Sequence, residues 1–74
     1  MFEQVKNILS EYTEEEIRVE SALSADLGLS SLDLFSMVAD FEENWHIEIS
    51  DRDISQFIYV SDILDYLRRR VQEE

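Results

Sequence analysis

The apolar residues of this chain recur at three- and four-residue intervals in three separate segments, and nowhere do they sustain the alternation of a half-buried strand. That period predicts an all-α fold. The first segment gathers Phe2, Val5, Ile8, Leu9 and Tyr12 on one helix face and stops near Glu14-Glu15-Glu16, because acids at a helix C-terminus oppose its macrodipole. The second runs from about Ser31 to Trp45. The last begins around Tyr59 to Ser61, aligns Val60, Ile63, Leu64, Leu67 and Val71, and closes on Arg68-Arg69-Arg70, whose charges complement the helix C-terminus.

Two connections complete the expected architecture. From about Tyr12 to Ser30 no helix longer than a turn is expected, and so long a connection in a small domain is either functional or pinned to the core. Ile17, Val19, Leu23 and Leu27 are its expected anchors, with Ser21 or Ser24 capping a short turn. After Ile47 and Ile49, Ser50 to Phe57 reads as a capped helix of two turns. The expectation is a four-helix bundle with a long first loop and a short third helix, one domain over residues 1–74. At that length only a modest fraction of the surface is buried and stability is marginal.

Charge narrows the classes of function. Eighteen acidic residues against six basic ones give a formal net charge of -12, which repels nucleic acid and anionic membranes and favours basic protein surfaces as partners. A hydrophobic content of 45% separates the chain from a disordered acidic tail. No cysteine is present, the N-terminus lacks the pattern of a signal peptide, and no apolar run approaches membrane-spanning length, so a cytoplasmic monomer is expected. His46 is the sole imidazole and has no partners for a zinc site or a catalytic triad. Asp51-x-Asp53-x-Ser55 mimics the start of a calcium loop, but Gln56 stands where the sharp turn needs glycine and Asp62 where a bidentate glutamate belongs. Neither a metal site nor intrinsic catalysis is expected.

The second helix carries more apolar surface than a core needs. At about 100° per residue, Leu34, Met37, Val38, Phe41 and Trp45 share one broad face, while Leu32, Phe35 and Ala39 fall on another side. Glu42 and Glu43 flank that second group, Asp33 and Asp40 lie further round, and no lysine or arginine occurs in the helix. An apolar patch rimmed by acids fits a docking surface for a basic partner. The alternative is that Leu32 and Phe35 pack beneath the long loop.

Ahead of this helix stands Asp26-Leu27-Gly28-Leu29-Ser30-Ser31-Leu32-Asp33, which holds the only glycine of the chain. Gly28 can take a positive φ and turn the chain into the helix, presenting a serine hydroxyl beside unpaired backbone N–H groups that favour a phosphate. A plain N-cap explains the serines equally well.

These residues resemble the Asp-Leu-Gly-x-Asp-Ser-Leu-Asp motif of acyl carrier proteins. Phe41 to Asp51 is similar to that family's Leu-Glu-Glu-x-Phe-x-x-x-Ile-Pro-Asp segment, and Val60 to Leu67 to its final helix. The resemblance implies that Ser31 carries 4'-phosphopantetheine, placed there by a phosphopantetheinyl transferase, and that the arm's thiol holds acyl groups as thioesters. It also implies that the second helix, through Leu32, Asp33, Phe35, Ala39, Asp40, Glu42 and Glu43, recognises acyl-transferring, synthase or ligase enzymes with basic docking patches. Phe41, Trp45 and Leu64 would border space for an acyl chain. Ser30, Ser36 and Ser50 replace the family's common aspartate, glutamate and proline, which points to a specialised fatty-acid or polyketide-type carrier. An aminoacyl or peptidyl carrier, and an unmodified acidic interaction module, are the alternatives.

The charge itself generates a test. Self-repulsion at -12 opposes compaction, so added salt or millimolar magnesium is expected to raise the melting temperature, and a flat or falling value across the titration contradicts this.

Overall fold

In the computed structural model, which describes residues 1–71, four helices appear in the expected order: α1 (Phe2–Leu9), α2 (Ser31–Trp45), α3 (Asp51–Ile54) and α4 (Val60–Arg70). Each turns its apolar face to one core. Val5 and Leu9 of α1 meet Met37, Val38 and Phe41 of α2, and α4 closes the far side with Val60, Ile63, Leu64 and Leu67. Leu34 and Trp45, the remaining members of the apolar face of α2, pack against this core while staying partly exposed. The rings of Phe41 and Trp45 stand 6.0 Å apart and tilted.

The loop between α1 and α2 contributes as much to the core as a short helix would. Ile17, Leu23, Leu27 and Leu29 are buried, and a loop so close to apolar surface must satisfy its own backbone. It does so against the α3–α4 connection: Leu23 N–H donates to the Ile58 carbonyl at 2.8 Å, Val60 N–H to Ser21 at 2.9 Å and Ser61 N–H to Val19 at 2.9 Å. Ala22 and Tyr59 form the antiparallel bridge at the centre of this ladder. Ser21, the buried polar residue of the loop, turns its hydroxyl to the Arg18 N–H, so of the two serines expected to cap a turn it is Ser21 that does so.

Val19 departs from expectation. It is 44% exposed, and its carbonyl, not its side chain, ties the loop down. Leu29, two residues from the helix start, supplies a buried side chain that the periodicity did not single out. The third helix is also shorter than two turns. After Ile54 the chain tightens into three-residue steps, Gln56 N–H to Asp53 and Phe57 N–H to Ile54, which swing Phe57 inward beside Ile54.

The last helix keeps its expected face and adds Tyr66, which is buried. Its ring meets Phe57 edge-on at 5.4 Å, and its hydroxyl donates to Asp53 at 2.8 Å while accepting from Arg70. Arg70 also reaches the Glu48 carbonyl at 2.9 Å. One of the three terminal arginines therefore clamps α4 to α3 and to the segment before it, a role beyond complementing the dipole. Arg68 pairs with Asp65 at 3.8 Å on the surface, where such a pair contributes little.

Phe41 is fully buried at the centre of these contacts. Removing its ring should cost about 3–5 kcal/mol, against a total stability on the order of 4–11 kcal/mol for a domain of this size. Urea denaturation followed by circular dichroism should find Phe41→Ala destabilised by about 3–5 kcal/mol, and Leu32→Ala within about 0.5 kcal/mol of the parent.

Candidate functional site

The start of α2 is built by two devices. Gly28 has φ 71°, a conformation that favours glycine, and it hands the chain to Leu29 and Ser30. Ser30 is the N-cap: its hydroxyl accepts from the Asp33 N–H at 3.2 Å, and the Asp33 carboxylate accepts from the Ser30 N–H at 3.0 Å. This reciprocal capping box satisfies two backbone donors that a helix start leaves open. It also assigns the two serines different positions. Ser31 is the first residue of the helix, exposed, and its hydroxyl takes no part in the cap. The spacing Ser30-x-x-Asp33 is a signal from which sequence reasoning could have separated them.

A cleft of about 250 Å³ opens beside Ser31. Leu34 and Phe35 form its α2 wall, and Ile54, Ser55 and Phe57 form the opposite wall, with Asp51 at the start of α3. An exposed hydroxyl at a helix N-terminus, next to a largely apolar cleft, suits a phosphodiester whose attached arm leads away along the surface.

Along α2, Leu32 is 79% exposed and Phe35 47%, so neither packs beneath the loop. Ser36, Ala39 and Glu43 continue the same solvent-facing strip. The other acids are placed differently. Asp33 serves the cap; Asp40 accepts the Tyr12 hydroxyl at 2.6 Å; Glu42 accepts the Ile49 N–H at 2.7 Å. The hydrogen bond to Asp40, reinforced by desolvation and by nearby carboxylates, pushes the Tyr12 phenol up to about 12. His46 ends the helix with φ 58°, a left-handed C-cap whose N–H bonds the Glu42 carbonyl, and its ring is exposed.

The carboxylates of the calcium-loop mimic have other tasks. Asp53 receives Tyr66, and Asp62 accepts the N–H groups of Ile58 and Tyr59, both at 2.9 Å. Among the described residues no group of three or more histidine, cysteine or acidic side chains is disposed to hold a metal ion, and no helix is long and apolar enough to cross a membrane.

Comparison with known proteins bears on this arrangement. The family model described as a phosphopantetheine attachment site matches residues 3–67. An acyl carrier protein of Thermotoga maritima is 35% identical over 96% of this chain and 91% of its own length, and one of Clostridium perfringens 33% identical over 99% and 100%. A solved Mycobacterium tuberculosis structure described as an acyl carrier protein superposes with a TM-score of 0.85 at 27% identity, covering 93% of this chain and 96% of that one. The chain belongs to the acyl carrier protein family. It is accordingly a carrier that bears covalent 4'-phosphopantetheine, and not an enzyme.

The Tyr12–Asp40 bond has a measurable signature. Because the native phenol is raised from the ordinary value near 10 to about 12, its stabilising contribution is complete below pH 10 and is lost as pH rises towards 12. A difference titration of phenolate absorbance between the parent and Tyr12→Phe should place this group near the upper value; a component titrating near 10 refutes the bond.

Proposed function

We propose that Ser31 is the attachment point of the arm, and that the docking face is formed by Leu32, Phe35, Ala39 and Glu43; Asp33, Asp40 and Glu42, also expected there from the sequence, border it and are each engaged in a hydrogen bond within the fold. The observation that carries the first point is the division between the serines: the Ser30 hydroxyl closes the cap while the Ser31 hydroxyl stands exposed at the mouth of the cleft. A phosphopantetheinyl transferase then meets one nucleophile in a fixed position. Exposure of Leu32 and Phe35 supports the second point, since large apolar side chains left in water on a small domain mark a contact surface.

The partners are the transferase and acyl-transferring, synthase or ligase enzymes whose docking surfaces carry cations, drawn in by a net charge of -12. The same charge disfavours nucleic acid and anionic membranes. The protein acts in the cytoplasm, a reading supported by a cysteine-free sequence. Serine at positions 30, 36 and 50, in place of the family's common residues, supports a dedicated fatty-acid or polyketide-type pathway.

The test is incubation of the apo protein with coenzyme A, magnesium and a promiscuous phosphopantetheinyl transferase, followed by intact mass measurement. The parent and Ser30→Ala should gain the arm, the latter at a cost of about 1 kcal/mol in stability from the lost cap. Ser31→Ala should gain nothing. A gain that survives Ser31→Ala moves the attachment elsewhere.

A further inference from the structure

The four acids of α2 are not equally available to a partner. Asp33 is engaged in the cap, Glu42 holds the Ile49 N–H, and Asp40 receives the Tyr12 hydroxyl from the segment after α1. Glu43 is exposed and joins neither of the ion pairs formed among the described residues. An O–H···O⁻ bond of 2.6 Å is charge-assisted and among the stronger contacts a surface carboxylate makes.

We infer that Tyr12 is a specificity-determining residue of the docking face: by holding the Asp40 carboxylate towards the segment after α1, it leaves a partner an apolar strip of Leu32, Phe35 and Ala39 with Glu43 as the acid most open to direct pairing. This rests on α2 being the docking face. A cation reaching for Asp40 enters the shallow cleft lined by Ile8, Glu11, Asp40, Glu43 and Asn44, and meets a carboxylate whose Oδ2 is already taken by the phenol. Asp40 still adds to the field that draws cations from a distance, but the phenol fixes its orientation and competes for its direct contacts. The fitting partner is a protein with an apolar ridge for Leu32 and Phe35 and a lysine or arginine opposite Glu43, roughly 12 Å further along the helix from Phe35. A broad array of cations fits this face less well.

The experiment is a double-mutant cycle read through transfer kinetics. The kcat/KM for loading Ser31 with a promiscuous phosphopantetheinyl transferase is measured at physiological salt, where the screening length of about 8 Å subdues distant charges. In the parent, Asp40→Asn should change kcat/KM by less than about twofold while Glu43→Gln and Phe35→Ala lower it severalfold; in the Tyr12→Phe background, Asp40→Asn should itself become costly, by about threefold or more. Thermal melts of all variants report the structural part of the Tyr12–Asp40 bond separately, since a purely structural tie appears there and not as coupling in kcat/KM. Equal effects of Asp40→Asn in both backgrounds, or an effect in the parent as large as that of Glu43→Gln, overturn the inference alone. The latter comparison needs no Tyr12 variant. A parent that takes no arm at Ser31 overturns the site assignment and this inference with it.

Discussion

Three backbone hydrogen bonds between residues 19–23 and 58–61 hold the rest of the molecule in register. Without them the segment from Ser10 to Ser30 would be a long unpaired connection, costly in entropy and unable to place Gly28 before α2. With them, Leu23, Leu27 and Leu29 descend into the core, and the Thr13 hydroxyl bonds the Leu27 carbonyl at 2.9 Å from the other side. The turn from Ala22 to Gly28 closes on itself through Asp26 and Gly28 N–H bonds to the Ala22 and Ser24 carbonyls. The position of Ser31 thus depends on a ladder almost thirty residues away in sequence at its far end.

That ladder explains which features were legible in the sequence. Helix α2 and its boundaries followed from the 3.6-residue period and the serines before it, because both signals are local. The face of α4 followed likewise, apart from Tyr66, whose burial depends on Asp53 and Arg70 meeting its hydroxyl, a contact between distant segments. Val19 looked like an anchor by composition and is exposed because its position in the ladder demands only its carbonyl. The length of α3 was overread for a related reason: burying Ile54 and Phe57 together required a tighter turn than α-helical continuation provides.

At the site, the exposed pair Leu32 and Phe35 was visible as surplus on a helical wheel, and the structure leaves both in solvent. The unequal standing of the acids was not visible there. A wheel reports direction around one helix, whereas the bonds that engage Asp40 and Glu42 come from Tyr12 on the segment after α1 and from the Ile49 backbone beyond α2. Family membership adds the arm and its chemistry, and the capping box supplies a local physical reason for two adjacent serines to differ.

The acidity of the chain then takes on a second meaning. With no proline and a single glycine, this sequence lacks the residues that usually shape turns. Carboxylates take their place: Asp26 accepts the Ala22 N–H, Asp33 that of Ser30, Glu42 that of Ile49, and Asp62 those of Ile58 and Tyr59. Each accepts from a residue outside the helices, and so satisfies a backbone donor that the loop would otherwise leave to water. Part of the negative charge is therefore the means by which the loops hold their shape. What remains unpaired on α2 is a small share of the total, so on the docking face proposed for this helix selectivity rests on which acids the fold leaves free, while the net charge governs mainly how fast partners arrive.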